Sequence, residues 1–163
     1  MKILSKLAFG VFFSLPAFAQ ITTYPFTISG SSGSVTISQL PANSIISPPG
    51  ITIDGGGSVI TTGVKGDIFF PYACTLNSVT LLADQSGSIV IDLWKDVYAN
   101  YPPTVADTIT ASAKPTITTA TKSQDTTLTG WTTTVAAGDT IRYNVDSITT
   151  ITRVTLIIKC TRT

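Results

Sequence analysis

Apolar and polar residues alternate with a period of two over most of the second half of the chain, the pattern of strands with one buried face. Six runs carry it: Asp67 to Ala73, Leu76 to Ala83, Ser88 to Asp96, Thr127 to Val135, Asp139 to Ser147 and Ile151 to Cys160. In the third run Ile89, Ile91 and Leu93 share one face, and Val90, Asp92, Trp94 and Asp96 share the other. In the last, Val154, Leu156 and Ile158 oppose Arg153, Thr155, Ile157 and Lys159. Turn chemistry separates several runs: DQSG at Asp84 to Gly87, AAGD at Ala136 to Asp139, and a short SITT before the last strand. The pattern predicts an all-β, antiparallel, jelly-roll-like β-sandwich over residues 66–163, with hairpin-like connections. Alternation weakens in the middle, where Val105 to Thr110 reads as a short strand and Lys114-Pro115 as a break; an edge strand and loops are expected there. Before the sandwich, residues 20–65 are rich in Gly, Ser, Thr and Pro and predict an extended arm with short strands.

Composition agrees with that class. The 163 residues suit one domain, the charged fraction is 12%, all nine acids are Asp, and 29 residues are Thr, which favours strands over helices. The first residues add a compartment. Lys2 and Lys6 precede an apolar run from Leu7 to Leu15, then Pro16 and an Ala17-x-Ala19 pattern, so residues 1–19 read as a signal peptide cleaved before Gln20. The apolar run is shorter than the roughly 20 residues that span a bilayer, so no stable membrane insertion of the mature chain is expected. Without Lys2 and Lys6 the chain has eight basic and nine acidic residues and no basic stripe, so nucleic acid is not an expected partner. Two cysteines, Cys74 and Cys160, stand near the first and last long strands. A disulfide and two separate buried thiols both remain open, because pairing is not readable from sequence.

The chain has neither His nor Glu, which removes the commonest general base, Ser-His arrangements and most zinc sites. Asp92 and Asp96 share a strand face, but at i and i+4 they lie roughly 13 Å apart, too far for paired-carboxylate chemistry. No enzymatic activity and no cofactor are expected. The stretch DGGGSVITTGVKGD lacks the Gly-Lys-Ser/Thr ending of a phosphate loop. Asp67, Asp84 and Asp125 are oxygen donors on loops, but no dense Asp-x-Asp-x-Asp loop holds them, so no metal is expected.

The stretch DLWKDVYANYPPT is the candidate binding site, with Asp92, Trp94, Asp96, Tyr98, Asn100 and Tyr101. Aromatic faces beside carboxylates and amides suit sugar rings, whose C–H faces stack while hydroxyls find acceptors. The competing structural reading has Trp94 covering one end of the sandwich, the tyrosines packed under the loop, and Pro102-Pro103 stiffening it. Trp131 is expected to pack across the sandwich from Trp94.

From Ile51 to Lys159, through IDGGGSVITTGVKGD, LLADQSGSIVIDLWKD, YANYPPTVADTI and LTGWTTTVAAGD, the chain resembles a module of tailed-phage and prophage structural proteins. That module recurs at the C-terminal end of tail-fibre-like and other virion proteins. The resemblance implies a virion-surface or appendage β-module and transfers no binding residue; a phage component of that kind is expected to display loops toward the host surface with a homo-oligomer or other virion proteins as partners, and a host-surface glycan as ligand rests on the aromatic stretch alone. The leader departs from that setting and implies a secreted carbohydrate-binding or adhesion protein instead. A third reading is a filament or assembly subunit in which the arm adds a strand to a neighbour's edge.

Overall fold

The computed structural model describes Ile45–Ile46 as strand and residues 50–163 in full; the expected signal peptide and most of the expected arm lie outside the described residues. Among the described residues, eight antiparallel strands form a single sheet that curls into a nearly closed, sandwich-like barrel. They are β1 (Ile45–Ile46), β2 (Ile51–Asp54), β3 (Gly63–Phe69), β4 (Cys74–Val97), β5 (Thr116–Asp125), β6 (Thr134–Val135), β7 (Asp139–Thr149) and β8 (Arg153–Arg162). Where sequence reading puts two strands and a DQSG turn, the chain runs as one 24-residue strand, β4.

The partner of β4 is continuous in the same sense. Cys74 lies opposite Arg162 and Ala83 opposite Val154 on β8, then Ser88 opposite Thr149 and Val97 opposite Asp139 on β7. The SITT segment is therefore not a hairpin turn. β7 and β8 run end to end along β4, and the three strands make one long antiparallel ribbon that bends at Asp84 to Gly87 on one strand and Thr150 to Thr152 on the other. Bent over, it gives both walls of the sandwich, since strands that switch sheets do so at bulges and corners.

Side chains replace part of the backbone ladder at this corner. Asp84 Oδ1 accepts the amides of Thr152 at 3.3 Å and Arg153 at 3.0 Å, and Asp84 Oδ2 accepts the Thr152 hydroxyl. Thr150, at φ 59°, donates its hydroxyl to the Ser86 carbonyl at 2.9 Å, while Gln85 donates to the Thr150 carbonyl. Gly87 fits because it has no side chain: a Cβ there would stand 2.5 Å from the Thr149 carbonyl oxygen and 2.7 Å from Ile151 Cγ1. The turn-forming residues of DQSG thus serve a bend within a strand.

The core lies between the walls. Ile89, Ile91 and Leu93 are fully buried, as alternation predicts, and meet Leu81, Ile141, Tyr143, Leu156 and Ile158. Ile53 and Ile60 belong to the same core and β2 pairs with β8, so the part of the arm from Ile51 onward is built into the barrel. Three further differences from the sequence reading concern irregular segments. Only Thr134–Val135 of the run 127–135 is strand, because Asp125 Oδ1 captures the amides of Thr127 at 2.8 Å and Leu128 at 3.1 Å and turns the chain. Val105–Asp107 is a 3-10 turn closed by Asp107 on Thr104 rather than a strand. Trp131 donates its indole N–H to the Ala113 carbonyl at 2.8 Å, and among the described residues the aromatic pairs are Phe69–Tyr98 and Phe70–Tyr72, not the two tryptophans. The AAGD turn is present, with Gly138 at φ 95° and Asp139 bonded back to Ala136 at 3.2 Å.

Gly87→Ala is expected to destabilise the domain by about 1–3 kcal/mol, because the backbone carbonyl it meets cannot move without opening the ribbon. Chemical denaturation checks this against Lys122→Ala, an exposed change expected to fall within about 0.5 kcal/mol of the parent.

Candidate functional site

The second half of β4 presents Asp92, Trp94 and Asp96 on the face away from the core, and the loop that follows returns across that face. Tyr98–Asn100 forms a 3-10 turn whose first amide bonds to Gly138 O at 3.3 Å. A cis Tyr101-Pro102 bond follows, and Pro103 is buried. The chain reaches the far edge of β4 at Thr108, opposite Trp94, and Ile109 N bonds to Leu93 O at 2.9 Å. This crossing decides the fate of the candidate residues.

Asp92, placed by sequence on a polar-leaning face, is 1% exposed. Its Oδ1 accepts the hydroxyls of Thr108 and Thr110, each at 2.7 Å, and the Leu93 amide at 2.8 Å. Lys114 Nζ ion-pairs with Oδ2 at 3.0 Å and with Asp146 Oδ2 at 2.6 Å, and Asn144 steadies Asp146 at 2.7 Å. The buried Trp94 indole N–H turns toward the same carboxylate without forming a well-aligned hydrogen bond. Burial by itself raises the Asp92 pKa; the two threonine hydroxyls, the indole and the ammonium outweigh it and hold the carboxyl below its ordinary value. Asp92 is therefore a buried anion that ties the loop down, and Trp94 lies half-buried beside the same crossing.

A second anchor works from the opposite side. Cross-strand neighbours Asp67 on β3 and Arg142 on β7 form a two-toothed ion pair, Nε to Oδ1 at 2.8 Å and Nη2 to Oδ2 at 3.0 Å. The Tyr101 hydroxyl joins both, donating to Asp67 Oδ2 at 3.0 Å and accepting from Arg142 Nη2 at 3.1 Å, while the guanidinium lies 5.3 Å from the tyrosine ring centre. Arg142 holds the Asp67 carboxyl below its ordinary range.

What remains open to solvent is an aromatic patch at the end of the wall. Tyr98 is 71% exposed, Phe69 54% and Tyr101 49%, and Phe69 meets Tyr98 edge to face at 6.3 Å. Beside them Asp96 Oδ1 accepts the Val97 amide at 2.7 Å and Asn100 Nδ2 at 3.2 Å. Of the six candidate residues, the structure thus brings Asp96, Tyr98, Asn100 and Tyr101 together toward the surface, buries Asp92 and leaves Trp94 half-buried with its indole nitrogen turned inward. Asp67, Phe69, Thr108, Thr110, Lys114 and Arg142 were not legible as parts of the site. Thr108 and Thr110 carried one signal, two hydroxyls at i and i+2 on one side of an extended segment. No family model matches the chain, and no curated protein matches it.

Asp92→Ala leaves the Thr108 and Thr110 hydroxyls without their carboxylate acceptor and the Lys114 ammonium with Asp146 alone, and is expected to cost about 3 kcal/mol in chemical denaturation. Because the folded-state pKa values of Asp92 and Asp67 lie below those of the unfolded chain, their contribution is complete above the ordinary carboxylate range and is lost as pH falls through the folded values. Stability is expected to be flat near neutral pH and to fall as the solution is acidified below about pH 4–5, with a shallower fall in Asp92→Asn.

Proposed function

We propose that this domain is a non-enzymatic virion structural module of the phage-appendage type, displaying the loop after β4 toward a saccharide-bearing host surface. The observation that carries the attachment reading is the exposed cluster of Phe69, Tyr98 and Tyr101, held in place from below by the Asp67–Arg142 pair and the Asp92 network. A rigid aromatic face beside Asn100 and Asp96 binds sugar rings at little cost in lost side-chain freedom. The resemblance to phage structural modules supports the virion setting. A secreted carbohydrate-binding or adhesion protein is the second reading, favoured by the leader sequence, and it uses the same patch.

Tyr98→Ala is expected to reduce retention on a broad glycan panel by at least about tenfold while leaving the unfolding free energy within about 0.5 kcal/mol of the parent. Unchanged retention in the folded variant would remove the patch from the account. Finding the protein in purified particles supports the virion setting, and finding it only in culture supernatant supports the secreted one.

A further inference from the structure

Cys74 and Cys160 are the two cysteines of the chain, and both are completely buried. They lie on adjacent antiparallel strands: Leu76 is opposite Cys160 and Cys74 opposite Arg162, so the cysteines are diagonal neighbours on one face. Strand twist brings one diagonal of such a ladder together. In this structure both cysteines are free thiols, and they are paired side chain to side chain by a hydrogen bond. The pair is also covered on both sides, since Ile46 on β1 lies opposite Cys160 and Val135 on β6 lies opposite Cys74.

We infer that Cys74 and Cys160 form a cross-strand disulfide site whose oxidation state is set while the chain folds and is then sealed by the sheet around it. The chemistry is thiol–disulfide exchange with a small disulfide such as oxidised glutathione. In the open chain one cysteine loses its proton to water and attacks a sulfur of that disulfide, releasing one glutathione thiolate. The second cysteine thiolate then attacks the protein-side sulfur of the mixed disulfide and displaces the other glutathione. Two protein thiols are oxidised, and one small disulfide is reduced to two thiols. Once β1, β8, β4 and β6 have closed, neither step proceeds. The attacking species is the thiolate, and burial pushes the Cys74 thiol far above its ordinary pKa and the Cys160 thiol above it as well. A reagent also has no approach to sulfurs inside the core. A bridge from 74 to 160 encloses most of the domain, so it restrains the unfolded chain strongly.

The test uses the full chain and two starting states. Unfolded, reduced protein is refolded in a glutathione redox couple, and native, reduced protein is incubated in the same couple. Intact mass, thiol titration and thermal melting are read on both. The refolded sample is expected to be two hydrogens lighter, with no titratable thiol and a melting midpoint higher by about 10 °C. The native sample is expected to keep both thiols over hours and lose them only when denaturant is added. Oxidative refolding that leaves two thiols, or yields only mixed or intermolecular disulfides, would overturn the site. Native protein oxidising as fast as unfolded protein would overturn the seal.

Discussion

The corner at which β4 and the β7–β8 strand bend together carries the rest of the architecture. One side of the ribbon supplies Asp84 to Gly87 and the other Thr150 to Thr152; the register carries across the bend from Ala83–Val154 to Ser88–Thr149 and shifts only farther out, between Leu76 and Ser78 and between Val90 and Ile91. Backbone groups that a bend would leave without ladder partners find Asp84, Gln85 and the threonine hydroxyls instead. Each such bond is worth on the order of 1 kcal/mol net, but an unmet group in their place costs more. The bend also turns both inward faces of β4, Leu76 to Leu81 and Ile89 to Leu93, toward a common interior. Core and corner are thus one constraint seen from two sides.

The surface patch inherits its rigidity from the same ribbon. Because the second half of β4 is paired with β7 along its length, Trp94 stands beside Arg142, and Arg142 stands beside Asp67. This row gives the returning loop a fixed charged track, and Tyr101 joins it through its hydroxyl. On the other edge Asp92 collects Thr108, Thr110 and Lys114. A loop held at both ends of its crossing keeps its aromatic tip in one arrangement, the condition under which the proposed binding has a low ordering cost.

Fold class and core faces were legible because period-two alternation is a local property. Ile89, Ile91 and Leu93 on one strand and Val154, Leu156 and Ile158 on another fall inside as their spacing requires. Continuity was not legible. DQSG has the residues of a turn, and the same small, polar side chains serve a bulged bend, so composition does not distinguish reversal from deflection. Exposure of the outer face was misread for a related reason: Asp92 becomes buried through a loop whose path depends on Asp67 and Arg142, residues that sequence gives no reason to join. Trp94, the most conspicuous residue of the stretch, is half-buried beside the returning loop, while Phe69 at the surface belongs to a different strand.

The most direct test of the continuous ribbon is a nuclear Overhauser map of backbone protons around the bend. Contacts are expected between Ala83 and Val154 and between Ser88 and Thr149, on either side of the corner. Contacts between Ala83 and Ser88 across a closed DQSG turn, together with pairing of β7 against β8, would show two hairpins in place of one folded ribbon and contradict the account.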